Sequence, residues 1–155
     1  MWERLRRFEA LDPAARSALL RALVVLPLVS FSLRVQGLRR TQMLLRRFSM
    51  PVPARVLSPA AMAEQAARTA RMLRAAACYG CGTPTCLAKS VAMCWLLERE
   101  GVAARLRIGA RKSLGKFQAH AWVELNGAAR SEIGAESHFL AFDCEFAGTR
   151  WVPRS

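Results

Sequence analysis

CLAKSVAMCWLLEREG (86–101) and FQAHAWVELNG (117–127) decide the fold between them. The first is apolar nearly all the way round, so it reads as a central, buried helix. Gly101 stands where a helix C-cap belongs, and Cys86 stands at the helix mouth. The second alternates as a strand, carries His120, and ends in the Asn126-Gly127 turn signal. A thiol at a helix N-terminus facing an imidazole on a strand is the arrangement that a cysteine nucleophile needs.

Downstream of the central helix the period changes to two. Ala104, Leu106, Ile108 and Ala110 alternate with Arg105, Arg107, Gly109 and Arg111, a half-buried strand. A turn at Ser113–Lys116 leads to the strand 117–124. Asn126-Gly127 leads on to a third strand near 128–133, and His138–Phe142 adds a short edge strand. Upstream, Cys78–Thr85 (CYGCGTPT) is a Gly-containing loop. Ser58-Pro59 opens an Ala-rich helix over roughly 60–77, with Met62, Ala66, Thr69 and Leu73 on one stripe. Pro51–Pro59 is extended and linker-like.

The first fifty residues are helical. Trp2, Leu5 and Phe8 recur at helical spacing within residues 1–12. Asp12-Pro13 is an N-cap followed by proline at the first helical position. A long apolar helix follows from Ala14 to about Leu33, bent near Pro27, and Gly37 closes it. A short basic helix then carries Arg39, Arg40, Arg46 and Arg47 beside Leu44, Leu45 and Phe48. Two roles suit the apolar helix: an interfacial membrane anchor with basic flanks, or a helical hairpin packed on the core or on a partner, which is the favoured reading. The fold class is therefore α+β, with N-terminal helices and a central buried helix packed on a small antiparallel sheet. Residues 1–50 form a helical region and 51–155 the core, together one compact domain.

Composition narrows the functions. A chain of 155 residues with 53% apolar and 23% charged content is an ordinary globular domain. The net charge of +13 could draw nucleic acid, anionic lipid or an acidic peptide. Aromatics are few and not interleaved with the basic residues, which argues against a nucleic-acid site. Five cysteines without a regular framework argue against a disulfide-stapled secreted module. The run Ala22–Leu33 is too short to span a bilayer, which takes about 20 residues, and has no cleavage site behind it. A cytosolic protein, with contact to a membrane surface left open, is expected.

Thr83-Pro84-Thr85-Cys86 reads as a helix start that sets the Cys86 thiol in the positive end of the helix dipole. Its own N–H is then available to an oxyanion. His120 is the better general base of the two histidines because it lies in regular structure. Pleat alternation puts it on one face with Gln118 and Trp122, and Phe117, Ala119, Ala121 and Val123 on the other. The bland alternative is that a cysteine in an apolar helix is a small core residue; Cys94 and Cys144 are read that way. Cys78 and Cys81 form half a zinc site, but no second half follows, so neither metal nor cofactor is expected.

With these motifs in view, CLAKSVAMCWLLEREGVAARLRIGARK followed by FQAHAWVELNG resembles the transglutaminase-like leader peptidases of lasso-peptide biosynthesis. The likeness covers roughly residues 80–142 and implies a papain-like core with a Cys–His–Asp triad. It implies Cys86 as nucleophile and His120 as base. The family's aspartate falls twelve residues beyond the histidine, where this chain has Glu132; Asp143 is the runner-up for orienting the imidazole. The resemblance also implies partners: the precursor's leader peptide, a small leader-recognition protein and an ATP-dependent lasso cyclase. Nothing here resembles the recognition module, so the split form is expected. A related acyl transferase forming a new amide, or a non-catalytic partner protein, are the competing readings.

The hairpin register bears on Glu132. A two-residue loop would pair Leu125 with Ala128, set His120 against Ile133, and send Glu132 to the opposite face. A three-residue loop with Gly127 as a bulge would pair Glu124 with Ala128 and set His120 opposite Glu132. The bulged loop is expected.

Overall fold

The structure is a computed structural model, and it describes residues 11–48, 57–79, 83–113, 116–125, 128–130 and 140–142. Three helices pack on a small antiparallel sheet, an α+β architecture. Helix α1 spans Pro13–Phe48, α2 Pro59–Tyr79 and α3 Cys86–Arg99. Strands β1 (Arg105–Ser113), β2 (Lys116–Leu125), β3 (Ala128–Arg130) and β4 (Leu140–Phe142) lie in the order β3-β2-β1-β4. Both β2 and β4 pair antiparallel with β1. The helical spacing within residues 1–10 and most of the linker 51–56 fall outside the described residues.

Each helix starts on the cap that its sequence carries. Asp12 Oδ1 accepts from Ala15 N–H at 2.6 Å, Ser58 Oγ from Ala61 N–H at 3.2 Å, and Thr85 Oγ1 from Ala88 N–H at 3.2 Å. Helix α3 ends as its glycine requires. Gly101 has φ 78° and its N–H donates to Glu98, while the N–H of the buried Val102 reaches Leu97 O at 2.9 Å. That is a Schellman motif, in which the left-handed position excludes most side chains.

The helix is not interrupted at Pro27 but runs on through the proline, and the kink is at Gly37. Pro27 is exposed, and its missing N–H leaves the Leu23 carbonyl without its helical donor. Gly37 adopts φ 74°, ψ 177°, a region essentially reserved for glycine. The turn lets Ser32 Oγ meet Thr41 Oγ1 at 2.8 Å, and Thr41, fully buried, also donates to Gly37 O.

One core joins all the elements. Val29 of α1, Leu73 of α2, Val91 and Leu97 of α3, and Leu106 and Val123 of the sheet are almost fully buried in one cluster. Helix α3 is the shared layer, with α1 and α2 on one side and the sheet on the other. Its C-terminal half is pinned to the end of α1: Trp95 Nε1 donates to Leu45 O at 3.2 Å and the Arg99 guanidinium to Phe48 O at 3.1 Å. The outer face of α1 leaves Leu20, Val24, Leu28, Phe31 and Val35 exposed on one stripe. An 18-residue stretch of α1 reaches a mean hydropathy of 1.9, enough by length and composition to cross a membrane, a test that the core helix of a soluble protein also passes.

The hairpin departs from the bulged loop expected for it. Leu125 pairs with Ala128 and Val123 with Arg130, the two-residue register. Asn-Gly is the pair that best tolerates positive φ at both central positions, so a two-residue connection needs no bulge to follow the strand twist. This removes the argument that set Glu132 opposite His120. Glu132 and Asp143 themselves lie outside the described residues.

Glu98, half-buried on α3, has its carboxyl pushed up from 4.5 to about 7 by burial, partly offset by Arg46 of α1. The native state thus holds this proton more tightly than the unfolded chain does. Its contribution to stability is complete below pH 4.5 and is lost as the pH rises through about 7. Glu98→Gln should therefore flatten the fall in stability between pH 5 and pH 8, measured by urea denaturation at both. An equal pH-dependence in variant and wild type would contradict this.

Candidate active site

Cys86 is the first residue of α3, directly after the Thr85 cap. Pro84 precedes the helix rather than entering its first turn. The cap satisfies Ala88 N–H through its hydroxyl and Lys89 N–H through its carbonyl at 3.1 Å. The N–H groups of Cys86 and Leu87 have no acceptor within the helix, as for any first turn. The thiol, half-buried, therefore sits where helix dipole and oriented amides favour negative charge. This position follows from the sequence: a threonine cap, then an apolar run whose burial fixes where the helix begins.

His120 lies in mid-β2, opposite Gly109 of β1, which in turn pairs with Ala141 of β4. On the β1 side, the row beside the imidazole thus begins with a glycine, which has no side chain. The ring stacks on Trp122 with centroids 6.2 Å apart and planes 18° from parallel. His120 and Trp122 share a face, while Ala121, Val123 and Leu125 turn into the helical core, as the alternation predicts. His120 Nε2 is shielded from solvent.

Both residues line one cleft of about 500 Å³. Helix α2 supplies one wall with Ala63, Ala66, Ala67 and Ala70; α3 supplies Cys86, Lys89 and Ser90; His120 and Ala121 close it from β2. Gln118, which the alternation sets on the face of His120, is exposed and is not among the residues that line this cleft. Cys94 is fully buried, and burial, with Glu98 nearby, pushes its thiol well above the ordinary range, so it stays protonated. Cys78 is exposed at the end of α2. Cys81 and Cys144 lie outside the described residues, and among those described no three metal-ligating side chains cluster.

Two features of the site were not read from the sequence. Ser90, one turn beyond Cys86, donates its hydroxyl to Ala121 O at 2.9 Å and ties α3 to the strand beside His120. A lone hydroxyl on an otherwise apolar helix was the available signal. The α2 wall was the other: its buried stripe, Ala66, Thr69 and Leu73, is legible, but the small-residue face presented to the cleft is not.

Residues 25–140 match the transglutaminase-like superfamily, and the chain belongs to it. Members of that superfamily are typically cysteine proteases or acyltransferases. No curated protein and no solved structure matches the chain.

The Ser90 tie has a measurable consequence. Ser90→Ala should lower the unfolding free energy by about 1 kcal/mol, the net worth of one buried hydrogen bond, read by urea denaturation. No loss would mean that this hydroxyl does not hold helix to strand.

Proposed function

We propose that this chain is a cysteine peptidase that removes the leader from a ribosomally made lasso-peptide precursor. The observation that carries the catalytic part is the placing of Cys86, at the mouth of a buried helix, and His120, on a strand, in the walls of one cleft. The leader-peptidase part is supported by the resemblance of the 86–101 and 117–127 stretches to that family.

In the proposed reaction His120 takes the Cys86 proton and the thiolate sulfur attacks the scissile carbonyl carbon. The oxyanion is held by backbone N–H groups of the first turn of α3, Cys86 foremost. His120 then gives its proton to the leaving amine as the C–N bond breaks, leaving a thioester on Cys86. Water, deprotonated by His120, attacks the thioester and releases the acid and the thiol. An orienting carboxylate completes the proposal, Glu132 by the resemblance or Asp143 as the runner-up. With an amine in place of water the same pair would run an acyl transfer, and the product distinguishes the two.

The partners in this proposal are the leader peptide, a separate leader-recognition protein and the cyclase, in the cytosol. The exposed stripe of α1 is the surface offered to a partner or a membrane face. Basic ends suit the latter: α1 holds seven arginines and no acidic residue.

The test is incubation with precursor and recognition partner, read by mass. Cys86→Ala and His120→Ala should each lose roughly 10³-fold or more in cleavage rate with unchanged circular dichroism. Glu132→Ala and Asp143→Ala, run alongside, identify the orienting group by the larger loss. Full processing by the Cys86 or His120 variant would remove the catalytic reading.

A further inference from the structure

The charges that line the cleft are all of one sign. Arg71 and Arg74 of α2 and Lys89 of α3 border it, and no carboxylate does so among the described lining residues. Their level along the cleft is set by how the helices pair. The connection between Tyr79 and Cys86 is short, so the end of α2 lies near the start of α3. At the far end Gln65 Nε2 donates to Glu100 at 2.9 Å. The two helices are therefore antiparallel, which brings the Arg71–Arg74 turn alongside the turn that begins at Lys89. Lys89 is three residues beyond Cys86, a rise of about 4.5 Å along the helix. An extended substrate advances about 3.3–3.6 Å per residue. A side chain one or two residues from the scissile carbonyl thus reaches the level of Lys89 and Arg74, and Arg71 lies about one helical turn further along.

At this level the cleft is otherwise lined by Leu73, Ser90 and Met93, and further along by Ala63, Ala66, Ala67 and Ala70, which let a backbone approach α2 closely. The three cations are therefore the only charged groups among the described lining residues that a substrate side chain would meet. Arg71 and Arg74 are exposed, three apart on one helical face, and present forked donors suited to a carboxylate.

We propose that this cleft selects acyl donors with a side-chain carboxylate one or two residues from the scissile bond, through Arg71, Arg74 and Lys89. The proposal deepens the peptidase reading, on which it rests for the position of the reacting carbonyl. It assigns the three cations to substrate specificity and not to the chemical step.

The test measures binding without turnover. Hexapeptides with an uncharged coumarin label, in an Ala/Ser background, carry Glu, Gln or Lys at each position in turn. Their affinity for the Cys86→Ala protein is followed by fluorescence anisotropy. Glu peptides should bind about tenfold more tightly than Gln peptides at low salt, with the difference shrinking as salt rises because the arginines are exposed. Arg71→Gln/Arg74→Gln should level Glu and Gln, and Arg71→Glu/Arg74→Glu should reverse the preference toward Lys. Circular dichroism checks both doubles, and the neutral one carries the test if the reversed one does not fold. Equal binding of Glu and Gln peptides overturns the proposal, as does displacement by a single-stranded oligonucleotide as effective, charge for charge, as the Glu peptide. Because no cleavage is needed, a failed peptidase assay leaves this result readable. Cleavage of precursor by the wild type without any Glu preference would sink the specificity alone.

Discussion

The structure depends on burying one helix on every side while leaving its first residue accessible. Helix α3 contributes Val91, Ala92, Cys94 and Leu97, all without measurable exposure, to a core shared by α1, α2 and the sheet. Each large apolar side chain so buried is worth about 1.5–3 kcal/mol, and together they leave the helix no freedom to slide or rotate. That fixity is what gives Cys86 a defined position. The thiol sits at the one end where the helix has unpaired N–H groups and positive potential, and the cleft opens there.

Polar contacts set the ends and the register of this helix. Thr85 fixes where it starts, the Gly101 turn fixes where it stops, and Ser90 fixes its height against β2. Trp95 and Arg99 then fasten the other end to the last turns of α1. The sequence change at Gly37 belongs to the same scheme. By turning the chain there, it brings residues 38–48 back onto α3, so that the N-terminal helix serves as a clamp on the nucleophile-bearing one.

Much of this was legible before the structure, for physical reasons. Asp12 is legible as a cap, and the helix starts at Ser58 and Thr85 are legible too, because short oxygen-bearing side chains before an apolar run have few better uses. That Ser58 and Thr85 themselves cap is shown by the structure. The faces of β2 follow from strict alternation, and the burial of α3 from its all-round apolarity. What failed was local competition between signals. Pro27 and Gly37 are both helix breakers, but only Gly37 adopts a conformation that most residues cannot, while an exposed proline is tolerated. A bulged hairpin would set Glu132 opposite His120, but the intrinsic preference of Asn-Gly for a two-residue loop prevails. The cleft wall on α2 and the Ser90 tie depend on how helices pair in space, which no single periodicity encodes.

The central claim is that Cys86, activated by His120, forms the covalent intermediate. The most direct measurement is to mix the protein with the p-nitrophenyl ester of a short peptide, quench within seconds, and locate the acyl group by mass mapping. The account predicts one thioester, on Cys86, whose formation is strongly slowed in His120→Ala. An acyl group on the exposed Cys78, or acylation of Cys86 that proceeds equally fast without the imidazole, would contradict it.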